Sequence, residues 1–181
     1  MVQTRRKCHI MGNKERNSYV RNAITDALLE MLKTRDLSAI TIGEITEKAQ
    51  VSRNSFYRNF ASKEDIIRQR ILTYLNEWRN RMKSEKSADQ KHIYFILFDI
   101  AEQHKDFFLL LRDTNLLYLL QDEFFKNFGP TDEDNEIAAY SKAFFTYSTY
   151  GFLETWIRRG MSRTAKEMKK MLDQGASDKD L

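Results

Sequence analysis

One proline and six glycines among 181 residues leave little from which to build the turns of a sheet. No run of alternating apolar residues bounded by turn signals is present either, so the predicted fold class is all-α. A single cysteine, Cys8, excludes an internal disulfide and, with only His9 beside it, a zinc set. The other histidines, His92 and His104, form no paired Glu-x-x-His set of the kind a di-metal bundle needs. A P-loop, a dinucleotide-binding glycine motif and a G-x-S-x-G elbow are likewise missing. These absences speak against an enzyme: no catalytic residue, no metal and no cofactor are expected. No apolar stretch approaches the roughly 20 residues that cross a bilayer, and the start lacks a secretory apolar region. No membrane partner is expected, and the reading is cytoplasmic.

What the chain does have is 41% apolar and 31% charged residues, enough for one or two small globular units with a core. Its charge is unevenly placed. Residues 1–86 hold 18 Lys and Arg against 10 Asp and Glu, net +8, whereas residues 87–181 are net −4. A basic half attracts phosphates, steers encounter with nucleic acid and makes affinity fall with salt.

Within that half, residues 41–63 read as two short helices, a tight turn and the start of a third helix. Thr41 followed three residues later by Glu44 is a capping box, and Ile42, Ile45 and Ala49 then share one face. Ser52 is the next N-cap candidate, which leaves Ala49, Gln50 and Val51 to turn the chain. This is helix-turn-helix spacing. In the second helix Phe56 and Phe60 fall at i and i+4 and are expected inside, while Arg53, Asn54, Tyr57 and Arg58 point largely elsewhere. Arg can grip guanine with two donors, Asn can pair with adenine, and Tyr and Ser hydroxyls suit phosphate oxygens. Ser62 caps the following helix, with Glu64 and Asp65 in its first turn and Lys63 beside its free N–H groups, a start suited to a phosphate.

The run from Val51 to Asp65, VSRNSFYRNFASKED, resembles the recognition-helix signature of the TetR/AcrR family of bacterial transcriptional regulators. The resemblance covers roughly Ser18 to Ile71. It implies base or nearby backbone contacts for Arg53, Asn54, Tyr57 and Arg58, and phosphate contacts for Thr41, Ser55, Tyr57 and Lys63. Ser52 and Asn59 complete the candidate DNA-binding set. Two positions depart from the pattern: Thr46 stands where members often have Ala, and Gln50 where they often have Gly. A left-handed Gln costs about 1 kcal/mol, so the turn is expected to be strained or differently wound.

The domain organisation predicted is a flexible basic arm over 1–17, a helix-turn-helix domain over 18–62, a connecting helix over 63–86, and a helical effector-binding and dimerisation domain over 87–181. The arm is a candidate to track a minor groove, and Met11 is as admissible a natural start as Met1. Val20, Ile24, Ala27, Leu28, Met31 and Leu32 form the stripe of a first helix, with Leu37 and Ile40 tucked under the head. Ile66, Ile67, Ile71, Tyr74, Leu75 and Trp78 continue the connecting helix for about 20 residues, or ~30 Å.

Of 22 aromatic residues, 16 lie after residue 86. Helices are expected there at about 88–103, 105–111, 114–127, 133–159 and 162–173, with Gly160 ending the longest of them. The resemblance implies that the last two helices pair with those of a second subunit, and Tyr147, Phe152, Trp156, Met168 and Met171 are the candidates for that homodimer interface. It also implies an effector pocket, for which Phe95, Phe98, Phe108, Tyr118, Phe125 and Phe144 are candidates and a small apolar or aromatic molecule the ligand class. The function expected is a homodimeric repressor bound through residues 52–60 to a palindromic operator on double-stranded DNA and released by an effector. The competing reading is an architectural or interaction factor of the same fold that needs no effector.

Overall fold

The computed structural model describes residues 13–84 and 90–174, and its regular elements are helical throughout. In chain order they are α1 (Asn13–Leu32), a single 3-10 turn (Leu37–Ala39), α2 (Ile42–Lys48), α3 (Arg53–Tyr57), α4 (Lys63–Ser84), α5 (Gln90–Gln103), α6 (Lys105–Asp113), α7 (Leu117–Phe128), α8 (Glu136–Arg158) and α9 (Ala165–Gln174). The chain divides into two compact units, residues 1–67 and 68–181, so the first five residues of α4 belong with the head. The arm's residues 1–12 and the polar stretch at 85–89 lie outside the described residues.

The first helix begins at Asn13, five residues before the expected start of the domain at residue 18, so part of the expected arm is helical. Residues 15–19 are exposed, so no core contact holds this extension. Glu and Arg are good helix formers on a solvated surface, and Glu15 complements the N-terminal dipole. The head's core is Ile24, Leu28, Leu32, Ile40, Ile45, Phe56, Phe60, Ile66 and Ile67, all buried.

The second unit is built around Trp78. Its ring is fully buried beside Phe124, Phe128 and Phe145, at centroid distances of 5.6, 4.7 and 6.3 Å, and its indole N–H donates to the Ile93 carbonyl at 3.0 Å. A second aromatic group joins Tyr74 to His104, Phe107 and Phe108. The final helix, α9, packs on α5. α8 ends as its sequence suggests: Gly160 takes a left-handed φ of 79°. The Lys105 ammonium donates to the Met161 carbonyl at 2.8 Å, just beyond that terminus.

Candidate DNA interface

Both helices of the pair start where their caps dictate. The Thr41 hydroxyl accepts from the Glu44 N–H at 3.2 Å, while the Glu44 carboxylate accepts from the Thr41 N–H at 2.8 Å and hydroxyl at 2.7 Å. Arg35 binds the same carboxylate at 2.7 Å, and these partners, Arg35 first, hold the Glu44 carboxyl down at about 2. Ser52 caps α3, accepting from the Ser55 N–H at 3.1 Å. Between them Gln50 has φ 55°, and the Val51 N–H reaches the Thr46 carbonyl at 3.0 Å, so the turn closes in the left-handed form that usually recruits glycine. Thr46 is buried and turns its hydroxyl onto the Gly43 carbonyl at 2.9 Å, which satisfies the polar atom where a smaller side chain would have none.

The helix expected over 52–60 is shorter, ending at Tyr57, so Phe56 lies in α3 and Phe60 just beyond it; both rings are buried, at 0% and 3% exposure, and hold this segment in the head. The opposite face is open: Ser52, Arg53, Asn54, Tyr57 and Arg58 are all exposed, Tyr57 to 61%. The Arg53 guanidinium, the Asn54 amide and the Tyr57 hydroxyl form no hydrogen bond with any described residue. Arg58 instead lies back along the helix, its Nε donating to the Asn54 carbonyl at 3.3 Å, and Asn59 turns its amide onto the Ser55 carbonyl at 2.7 Å. Ser55 shares its hydroxyl with Ser52 at 3.0 Å. Ser62 caps α4 as expected, accepting from the Asp65 N–H at 3.2 Å. Lys63 points inward to two carbonyls, Leu37 at 2.7 Å and Ile40 at 2.6 Å, which sequence reasoning did not anticipate.

A short helix anchored by two rings, lifting unoccupied hydrogen-bonding groups off a basic unit, has the form of a major-groove reader. Residues 24–69 match the profile of the tetR family of bacterial regulatory proteins. Residues 24–69 thus carry a TetR-type DNA-binding domain.

Among similar proteins, the HTH-type transcriptional regulator AlkX of Mycobacterium tuberculosis (strain ATCC 25618 / H37Rv) is 27% identical over 75 residues, which is 41% of this chain and 36% of that protein. The uncharacterized HTH-type transcriptional regulator YxbF of Bacillus subtilis (strain 168) is 50% identical over 44 residues, 24% of this chain and 12% of that one. The chain thus spans about a third or less of the curated relatives it matches. A TetR transcriptional regulator from Streptococcus agalactiae 2603V shares the fold, with a TM-score of 0.52 at 20% identity over 87% of this chain and 93% of that one.

Beyond the TetR-type head, the six aromatics expected to line a pocket do not gather. Phe98 and Phe108 are core residues, Phe98 edge-on to Trp156 at 5.4 Å and Phe108 against Tyr74. Phe125 packs on Tyr147 at 4.6 Å, and Phe95 lies under the Lys169 ammonium. Tyr118 and Phe144 are exposed, Phe144 to 71%. Helical spacing alone does not say which apolar face turns inward, and here it grouped core and surface rings together. An open groove of about 610 Å³ lies along α4, lined by Thr73, Asn76, Glu77, Asn80, Arg81 and Ser84, none of them aromatic.

The interface candidates divide too. Tyr147, Phe152 and Met171 are exposed, whereas Trp156 and Met168 are buried in the chain's own core, with the Trp156 indole donating to the Arg163 carbonyl at 3.1 Å. Ile137 and Tyr140, at 81% and 71% exposure, join Phe144 and Tyr147 on the outside of α8. Their spacing of three, four and three residues was the available signal. No described helix is long and apolar enough to cross a membrane.

Proposed function

We propose that this protein is a homodimeric transcriptional repressor, acting in the cytoplasm by binding rather than catalysis. The observation that carries the reading is the open face of α3, where the polar ends of Arg53, Asn54 and Tyr57 make no hydrogen bond with any described residue. Two copies would present two such faces to successive major grooves, about 34 Å apart or a small multiple, on a palindromic or near-palindromic operator. Repression is then steric exclusion of other proteins from the promoter.

Support for the second copy comes from α8. Ile137, Tyr140, Phe144 and Tyr147 repeat at 3.5-residue spacing without a charged residue among them, and all are more than 60% exposed. Gly151 continues the seam, and a Cβ there would meet nothing within 4 Å, so a partner helix can approach closely. A surface row of this kind, three large rings and an isoleucine, is covered at low cost by its own symmetry mate.

On this reading a small apolar or aromatic effector would act by binding one of the DNA-competent and DNA-incompetent shapes more tightly. The dispersal of the six aromatic pocket candidates favours the second reading, a DNA-binding factor of the same fold that needs no effector. Selection of duplexes from a random-sequence pool tests the main reading: recovered sequences should share an inverted repeat. Recovery of unrelated sequences would favour the architectural alternative, as would occupancy scattered across the genome rather than at a few promoters.

A further inference from the structure

Gly43 is the second residue of α2, inside a helix whose capping box is complete. Glycine in a helix interior is disfavoured by about 1 kcal/mol relative to alanine, and this backbone has no positive φ to call for it. A different explanation is visible. A Cβ built on Gly43 would lie 2.8 Å from Nη2 of Arg53 and 3.7 Å from its Cζ. The guanidinium of the first residue of α3 therefore rests on the first turn of α2, in space that any side chain at 43 would take. The Thr41 hydroxyl borders the same space, 3.7 Å from that Cβ position.

Resting on the proposal that the head binds duplex DNA through α3, we infer that Arg53 is a phosphate clamp rather than a base reader, and that Gly43 is the residue that positions it. In a helix-turn-helix the second helix enters the groove and the first crosses the sugar-phosphate backbone. A guanidinium seated over the first turn of the first helix is on the backbone side of that arrangement. It is exposed, and its donors meet no acceptor among the described residues. Guanidinium matches a phosphate with two parallel N–H donors. Base reading then falls to Asn54 and Tyr57, whose polar ends remain free, with Arg58 able to leave its long contact with the Asn54 carbonyl. Arg53 becomes a sequence-blind source of affinity, and a side chain at residue 43 would move its guanidinium from this seat.

The test uses the full chain, a duplex selected by it from a random-sequence pool, and every single-base-pair variant of that duplex, titrated at several salt concentrations. Arg53→Ala should weaken binding to all of them by a common factor on the order of tenfold. The slope of log affinity against log salt should become shallower by about 1 for each Arg53 engaged. Arg53→Lys, which keeps the charge but not the two parallel donors, should recover the salt slope and part of the affinity. Gly43→Ala should melt at or above the wild-type temperature, because alanine is the better helix former and only the mobile end of Arg53 must shift, yet should lose affinity in the same uniform pattern. A loss confined to one base pair with an unchanged salt slope would make Arg53 a base reader and overturn the inference while leaving the DNA interface intact. Wild-type binding by Gly43→Ala would remove the positioning role. If the wild-type chain enriched no duplex at all, the interface itself would be wrong.

Discussion

The ammonium of Lys63 donates to the Ile40 carbonyl at 2.6 Å, joining the first residue of α4 to the residue that precedes the cap of α2. With the Leu37 carbonyl at 2.7 Å, it ties the loop before the helix pair to the helix that follows it. Ile40 is fully buried, so the tie fixes the angle at which the chain enters α2.

Replacing Lys63 by methionine should therefore destabilise the fold as well as weaken DNA binding. Two carbonyls lose a charged donor, and hydrogen bonds of that kind contribute roughly 1.5–3 kcal/mol each when exchange with water is incomplete. Part of the loss is recovered because Lys63 is only half-buried and water can replace it. Denaturant unfolding of the variant should show a midpoint below wild type with an unchanged slope. A midpoint equal to wild type would mean that the tie contributes nothing to the fold.

Much of the head can be read from the sequence because its signals are local. Thr41 with Glu44, Ser52 and Ser62 each announce a helix start within three or four residues, and Phe56 with Phe60 give the buried side of the segment that holds α3. The caps on either side placed the turn at residues 49–51, but the left-handed conformation of Gln50 was readable only through the resemblance, in which glycine is common at that position. Lys63 was not readable in the same way, because its acceptors lie 23 and 26 residues earlier and no periodicity links them. The aromatics of the second unit fail for a related reason. Phe124 and Phe125 are neighbours of identical type, yet one is fully buried and the other only partly, and only the packing of α7 against α8 decides which.

Glu44 should give the stability a pH dependence. Its carboxyl has an ordinary value of 4.5 and is held at about 2 in the fold, so the folded state favours the charged form. Its contribution is therefore complete above about pH 4.5 and disappears as the pH falls toward 2. Melting temperatures of wild type and Glu44→Gln measured between pH 7 and pH 3 should differ most at neutral pH and converge as acid is added. A gap that stays constant across that range would contradict the capping geometry.

Arg68 binds Asp122 at 2.8 Å and Glu123 at 3.1 Å, and the Glu123 side chain is only 7% exposed. Arg68→Ala would strand that carboxylate, costing roughly 1–3 kcal/mol, toward the low end because Arg68 itself is 30% exposed. Adding Glu123→Gln should restore part of the loss, since a neutral amide is less costly to bury. A double variant no more stable than the single one would show that the pair is not coupled.

Phe144→Glu should separate the subunits without unfolding them. The side chain is 71% exposed in one chain, so the fold loses little, whereas a charge in the middle of the α8 seam cannot be covered by its symmetry mate. Light scattering should report a mass falling from twice 21.5 kDa to 21.5 kDa. A variant that remains dimeric would place the interface elsewhere.

The most direct test of a two-copy groove reader is hydroxyl-radical footprinting on a duplex selected by wild-type protein, repeated with Tyr57→Ala. Tyr57 is 61% exposed and meets the Phe56 ring edge-on, so its removal should leave the melting temperature near wild type. Wild type should protect two patches on one face of the duplex, one helical turn or a small multiple apart, and Tyr57→Ala should lose both together. A single protected patch, or an unchanged footprint from Tyr57→Ala, would contradict the account.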